Sequence, residues 1–301
     1  MTRVLVTGAR GFVGRHAVPA LRARGFEVHA AGRTPLPDDV AEGVTFHRCD
    51  FFDGAAVAAL VQRVQPTHLL HLAWDARPGL FWTSTENLRW VAASLGLYLA
   101  FAASGGRRAV MAGSCAEYDW SHSELDEART PLVPRTLYGE AKRALHTLLE
   151  RAAAQSGVEL AWGRLFFLYG PHEAEGRLVS DVARALLAGR EARCSEGSQQ
   201  RDFMHVADAG RAFAALVASD VTGPVNVASG ECVPVRSIVA ALGELTGGTG
   251  LIRYGTANRP DEPPRLSASV ERLRQRAGFE SMYDLRSGLA QTVDWWRAQV
   301  S

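Results

Sequence analysis

Lysine is almost missing from this chain. Of 33 basic residues in 301, Lys142 alone is lysine and the other 32 are arginine. A GC-rich coding bias explains the background but not the exception, because a solvated charge on a helix face accepts either residue. Guanidinium is a planar fork with a very high pKa, whereas ammonium is a compact charge whose pKa responds to its surroundings, so a site needing the second kind of cation resists replacement. Cysteine is scarce too. Cys49, Cys115, Cys194 and Cys232 are widely spaced with no CxxC pair, which argues against a zinc site or a disulfide framework. No window approaches the ~20 uninterrupted apolar residues of a membrane span. The N-terminal "MTRVLVTGARGF" reads as a strand followed by glycines and lacks the charged head and cleavage site of a leader. A net charge of +1 offers no field for nucleic acid or an anionic membrane, although arginine-bearing pockets for small anions stay open. These absences give the expectation of a cytoplasmic protein with no metal site, nucleic-acid partner or membrane partner.

What is present is regular alternation. "RVLVTG", "EVHAAG", "VTFHRCD", "HLLHLA" and "RAVMAGS" read as five strands, and "ELAWGRLFFLYGP" as a sixth. Between them lie helical stretches, among them a first helix ended by Gly25 and two long ones, Thr85 to Gly105 and Thr136 to Gly157. Strands alternating with helices are the mark of βαβ units around a parallel sheet. After Gly170-Pro171 the rhythm loosens into a helix ("RLVSDVARALLAGR"), a turn and helix ("RDFMHVADAGRAFAALVAS") and a short strand ("GPVNVASG"). A further helix, the Pro-rich "NRPDEPPR" and a last helix with Trp295-Trp296 follow. There is no internal repeat or low-complexity segment.

"VTGARGFVG" sets Gly8, Gly11 and Gly14 at the first strand-to-helix turn. Missing Cβ atoms let a pyrophosphate approach the backbone at a helix N-terminus, where free N–H groups and the dipole favour anions. At the first strand of a βαβ run this spacing is the dinucleotide fingerprint. An acidic residue about 20 positions on would hold the ribose of NAD, whereas arginine accommodates the 2′-phosphate of NADP. Here "AAGRT" has Arg33 and no carboxylate before Asp38. NADP is therefore expected ahead of NAD, the competing reading of Arg33 being a plain surface charge. Asp50, after the third strand, is placed either to accept from an adenine amino group or simply to form a turn.

Tyr138 and Lys142 are four apart in one helical pattern and share a face. A tyrosine at its free pKa of ~10 is a poor acid at neutral pH, and a fixed ammonium nearby stabilises its phenolate. Ser114, in "GSCAEYDW" after the fifth strand, can hold a carbonyl or alcohol oxygen beside the phenol.

In order, "TGARGFVG", "HLAW", Asn87, Ser114, "YGEAK", "RLFFLYGP", "RDFMHVAD" and "NVASG" resemble the successive blocks of the extended short-chain dehydrogenases/reductases, the group of NDP-sugar epimerases, dehydratases and ketoreductases. The resemblance covers nearly the whole chain. It implies a Rossmann-type doubly wound parallel α/β sheet with a smaller, discontinuous α+β substrate domain. The dinucleotide domain would comprise 1–170 plus about 203–229, and the substrate domain about 171–202 plus 230–301. It implies Tyr138 as general acid/base, Lys142 as its activator and ribose ligand, and Ser114 as the substrate-orienting hydroxyl. The cofactor site would take Gly8, Arg10, Gly11, Phe12, Val13, Arg33, Asp50, Phe51, Leu72 and Ala73 besides Tyr138 and Lys142, and the enzyme would be a homodimer through its two long helices.

Departures from the family pattern refine the reading. The 4,6-dehydratases carry an acidic pair after a threonine in the turn where this chain has Ser114-Cys115-Ala116, so dehydration is not expected. Cys115 is one position off the cysteine of the double epimerase/reductases; it is counted on the substrate side of the turn, where a small buried residue needs no special role. Phe167 replaces the asparagine that often contacts the sugar diphosphate. Arg201 and Arg259 match arginines that meet phosphate or nucleotide, or are surface arginines. Trp74, Trp82 and Thr83 are placed to cover the substrate, while His172 and His205 read as structural. The resulting expectation is an NADPH-dependent ketoreductase acting on the C4 keto group of an NDP-4-keto-6-deoxyhexose. The alternatives are a 4-epimerase with tightly bound NAD, a reductase of a natural-product ketone, and a dinucleotide-binding sensor without turnover.

Overall fold

The computed structural model describes residues 2–256 and 262–300. In the first half β1 (Arg3–Thr7), α1 (Gly14–Ala23), β2 (Glu27–Gly32), α2 (Asp38–Ala41), β3 (Val44–Arg48), α3 (Gly54–Val64), β4 (His68–His71), α4 (Glu86–Ala103) and β5 (Arg108–Ser114) follow one another. Next come β6 (Glu124–Leu125), α5 (Leu137–Ser156), β7 (Glu159–Leu165), β8 (Phe167–Tyr169), α6 (Leu178–Leu187), β9 (Ala192–Cys194), β10 (Gln200–His205) and α7 (Val206–Ala218). The chain continues through β11 (Gly223–Val227), β12 (Cys232–Pro234), α8 (Val235–Thr246), β13 (Ile252–Tyr254), β14 (Arg265–Ala268) and α9 (Leu285–Val300).

Seven parallel strands form the main sheet in the order β11-β7-β5-β4-β1-β2-β3. The chain runs outward from β1 to β3 and then returns to β1's other side with β4, so strand order reverses beside β1. A crevice outside the carboxyl ends at such a switch point is where open α/β sheets bind ligands. Both faces are covered, which explains why the strands read as near-continuous apolar runs. Along β1, Val4 and Val6 face a core with α1 and α7, and Leu5 faces a second core with α3, α4 and α5. The sheet is thus a Rossmann-type doubly wound α/β layer.

The sequence pattern departs from the structure most at the sixth strand and at β10, while the short strands β6, β9, β12, β13 and β14 give no pattern at all. The expected sixth strand divides at Phe166, whose N–H goes to Val227 O. The chain beyond it, β8, leaves the main sheet and pairs with Phe203–His205 of β10. The segment read as a turn, "QRDFMH", is β10 itself, the hub of a second sheet ordered β12-β10-β14-β6. Those pairings join residues tens of positions apart and leave no local period. α6, α8 and α9 close a third core around Leu186, Leu242 and Trp296, where the Trp295-Trp296 pair packs as expected.

Candidate active site

The turn after β1 is dictated by space. Gly8 has φ +69°, and a Cβ there would lie 2.7 Å from Ala73 N. A Cβ on Gly14 would lie 2.1 Å from Gly8 O. The loop is therefore drawn against the end of β4 and the start of α1, the cradle a dinucleotide pyrophosphate needs. Beneath it Thr7 Oγ1 meets His71 Nδ1 at 2.7 Å and accepts from Ala73 N at 3.2 Å, and His71 Nε2 meets Ser94 Oγ at 2.9 Å. Burial lowers His71 to about 3, so the imidazole is neutral and links β1, β4 and α4 as a hydrogen-bond bridge. Sequence reasoning passed over this bridge.

A cleft of about 210 Å³ opens from the cradle. Gly8, Arg10, Arg33, Asp50, Phe51 and Ala73 line it, six of the expected cofactor residues. Gly11, Phe12, Val13, Leu72, Tyr138 and Lys142 do not line it; Val13 and Leu72 pack against the α1/α7 core instead. Among the described residues neither Arg10 nor Arg33 has an ion-pair partner, while Asp39, soon after Arg33 in the chain, is taken by Arg15 at 3.0 Å. Asp50 serves both readings: it lines the cleft and its Oδ1 accepts from Phe52 N at 3.1 Å to form the turn. Phe52 and Trp90, unread in the sequence, complete the wall with ring centroids 4.9 Å apart.

At the other end α5 begins on the Thr136 hydroxyl, which accepts from Gly139 N at 3.1 Å. A Cβ on Gly139 would sit 2.3 Å from Ala116 O, so this glycine lets the helix press against the turn after β5 and brings Tyr138 to Ser114. The phenol is boxed by Phe81 at 4.8 Å, Trp82 at 5.8 Å and Trp74 at 6.4 Å, each meeting the ring edge to face. Lys142 Nζ donates to Ala112 O at 2.8 Å and lies 3.6 Å over the Trp74 ring. Burial lowers the ammonium to about 7. The sequence reading has that ammonium drawing the phenol's pKa down. In the structure Lys142 is not among the groups that shift the phenol: burial pushes Tyr138 well above its usual range, with the Ser114 hydroxyl and, more weakly, Arg177 pulling the other way.

Under Ser114 lies a group the sequence reading missed. Glu117, fully buried, accepts Ser114 N–H at 2.8 Å, the Trp162 indole N–H at 2.9 Å and Arg164 Nε at 2.8 Å. Ser114 Oγ in turn accepts from Ala116 N at 3.2 Å, completing a capping box. A signal was present: "SCAE" is the Ser-x-x-Glu signature of that box.

The expected substrate residues meet different fates. Trp74 is fixed by its indole N–H to Asn87 Oδ1 at 2.8 Å, and the Asn87 amide is fixed by Phe81 O and Ser84 O. Trp82 lends its carbonyl to Tyr138 N at 3.1 Å, strapping the loop to α5, while Thr83 is exposed. Cys115 is buried in a cluster with Tyr118, Leu125 and Phe166, and burial raises its thiol to about 12. Arg201 is not a free anion hook. It is buried, pairs with Glu262 at 2.9 Å and lies 5.7 Å over the Phe167 ring. Arg259 falls outside the described residues. Arg177, unread, lies 5.3 Å over Phe81, donates to Ala76 O at 3.2 Å and favours the Tyr138 phenolate. His205 caps α7, and His172 packs on Trp295 at 4.4 Å. Among the described residues no group of three or more His, Cys, Asp or Glu side chains is placed to hold a metal ion, and no helix is long and apolar enough to cross a membrane.

Comparison with known proteins agrees with this geometry. The profile of the NAD dependent epimerase/dehydratase family matches residues 4–228. The chain is 29% identical over 322 residues to a dTDP-4-dehydro-6-deoxy-D-allose reductase of Streptomyces bikiniensis, covering 98% of this chain and 96% of that one. It is 26% identical to UDP-glucuronic acid decarboxylase 1 of Xenopus tropicalis, covering 99% of this chain and 73% of that protein. The solved structure of MoeE5 in complex with UDP-glucuronic acid and NAD superposes with a TM-score of 0.84 at 31% identity, covering 99% of both chains. The cradle, the Tyr138/Lys142 face and the matched span lead to one placement: the chain belongs to the NAD dependent epimerase/dehydratase family, within the extended short-chain dehydrogenases/reductases, and is an oxidoreductase-type enzyme.

Proposed function

We propose that the enzyme is an NADPH-dependent ketoreductase that reduces the C4 keto group of a nucleoside-diphosphate 4-keto-6-deoxyhexose. The observation that carries this reading is the charge of the cleft: Arg10 and Arg33 line it without ion-pair partners among the described residues. An arginine fork suits a 2′-phosphate, which a carboxylate there would repel. Cells hold the phosphorylated dinucleotide as a reductant, which favours net reduction. The similarity to the Streptomyces reductase over nearly all of both chains supports the keto-deoxysugar substrate.

When bound, the dinucleotide supplies the hydride. The proton is this chain's task. Tyr138, kept protonated by burial, donates its phenolic proton to the ketone oxygen as that oxygen gains charge. The Ser114 hydroxyl hydrogen-bonds the same oxygen, and Lys142 supplies positive charge for the phenolate left behind and a donor for a ribose hydroxyl. The walls of Phe81, Trp82 and Trp74 exclude water, which strengthens these interactions. Elimination lacks an acid: Cys115 and Ala116 carry none, and Glu117 is committed to Arg164 beneath the turn.

On this reading Phe167 and Trp82 face the sugar, the dinucleotide domain takes 1–170 plus about 203–229, and the rest holds the substrate. A homodimer through α4 and α5 suits the exposed Leu88, Leu99 and Leu148 on those helices. Purified protein with NADPH and a panel of such ketosugars is expected to oxidise the cofactor and yield a C4 alcohol. No cofactor consumption across the panel rejects the reading; bound NAD with inversion at C4 and no net oxidation replaces it with epimerisation, and turnover only of non-sugar ketones replaces the substrate.

A further inference from the structure

Lys142 is 4% exposed, and its ammonium is held by the Ala112 carbonyl at 2.8 Å and the face of Trp74 at 3.6 Å. Neither partner carries a full negative charge, and a buried ammonium without one tends to shed its proton. The carboxylate that acts on it is Glu117, whose field favours the charged lysine. The two side chains hold neighbouring peptide groups: Lys142 donates to Ala112 O, and Glu117 Oε1 accepts Ser114 N–H at 2.8 Å. Between them Gly113 has no room for a side chain, since a Cβ would lie 2.6 Å from Glu117 Oε1 and 2.1 Å from the Trp162 indole nitrogen. The space a side chain would fill at the end of β5 is given to the carboxylate.

The titratable groups packed around this carboxylate and Lys142 come from β4, β7, α5 and the turn after β5; the one on β4, His71, feels the lysine and is neutral through burial. Arg164 pairs with it at 2.8 Å. His146 stacks on Trp162 at 4.9 Å and is lowered by burial to about 3, so it is neutral. Burial also keeps Tyr118, Tyr138 and Cys115 neutral by raising each. The charged members are two cations, Arg164 and Lys142, around one anion.

We propose that Glu117 is a positioning residue of this centre: as the buried counter-charge shared by Arg164 and Lys142, it keeps the lysine an ammonium beside Tyr138 while fixing the Ser114 end of β5. The inference rests on Lys142 belonging to the catalytic centre and is independent of which substrate is reduced.

Because Lys142 is the chain's one lysine, protein grown on lysine labelled with ¹³C at Cε gives a single lysine resonance, and its pH titration reads that ammonium with no substrate present. Glu117→Gln keeps the shape and still accepts from Ser114 and Trp162, but removes the charge. The midpoint, near 7 in the wild type, is expected to fall by about 1 pH unit or more in Glu117→Gln and to recover most of that fall in Glu117→Asp. The pH at which turnover is half lost on the alkaline side should move down with it. An equal midpoint in wild type and Glu117→Gln overturns the proposal. Should the unpaired Arg164 prevent Glu117→Gln from folding, the double variant Glu117→Gln/Arg164→Met is titrated, with the same expected fall and the same overturning result. A ketosugar panel without turnover leaves this titration untouched, so failure of the functional reading and failure of this inference are told apart.

Discussion

Around Gly8 the molecule exposes the side chains it uses, whereas around the half-buried Tyr138 it buries the lysine, serine and carboxylate that serve it. The cradle end is backbone: glycines whose missing Cβ atoms let the loop close on Ala73 and Gly8 O, with Arg10 and Arg33 left open along the cleft. The catalytic end is side chain packed on side chain: Lys142 under Trp74, Tyr138 among three aromatic rings, Glu117 between Arg164 and Ser114. The difference follows from what each end does. A diphosphate with its own charge can be held by donors that keep their hydration until it arrives. A phenol that must give up a proton at a chosen atom needs water excluded and its neighbours fixed in advance.

If the two ends carry separate duties, substitutions should separate them. The largest effect is expected at the buried end: Lys142→Arg should keep the fold and lose turnover about 100-fold or more, because the planar fork cannot occupy the compact ammonium site; steady-state rates with a circular-dichroism check decide it. Gly14→Val should act on the fold, since its Cβ would lie 2.1 Å from Gly8 O, lowering stability by about 3 kcal/mol in a denaturant melt and abolishing dinucleotide binding. Arg33→Ala should weaken NADPH about tenfold by titration calorimetry and leave NADH nearly unchanged, the loss of one charge-assisted hydrogen bond. Equal weakening of both would show that Arg33 does not meet the 2′-phosphate.

The last effect falls on stability rather than on turnover or binding, and it depends on pH. Lys142 falls to about 7 in the folded chain from an ordinary 10.5, so between those values the unfolded chain binds the extra proton. The buried ammonium therefore costs stability in full below about pH 7, and the cost fades as the pH rises toward about 10. Lys142→Met should melt above the wild type at about pH 6, with the gap closing by about pH 10. A gap independent of pH would mean the lysine is not buried as an ammonium.

The same contrast explains what could be read in advance. The glycine turn and the Tyr138/Lys142 spacing are local patterns, seven and five residues long, and their physical meaning survives without the fold. Glu117 and Arg164 stand 47 positions apart, Thr7 and His71 64 apart, and Arg201 and Glu262 61 apart. Nothing local ties such partners, which is why Arg201 read as a free cation and Glu117 was passed over despite its Ser-x-x-Glu signature. The excursion of β8 to β10 was hidden for the same reason: the apolar run from β7 through Phe167 reads as one strand until a distant strand claims its end. Burial is the other invisible term. The chain shows that Lys142 sits near Tyr138, but not that desolvation would move the phenol up and the ammonium down together.

The division of labour between the two ends is tested most directly by measuring turnover and NADPH affinity on Tyr138→Phe in the same preparation. The expected result is a kcat lower by about 100-fold or more with the NADPH dissociation constant unchanged, since the phenolic proton is lost while the glycine cradle and arginines are untouched. Wild-type turnover in Tyr138→Phe would contradict the account.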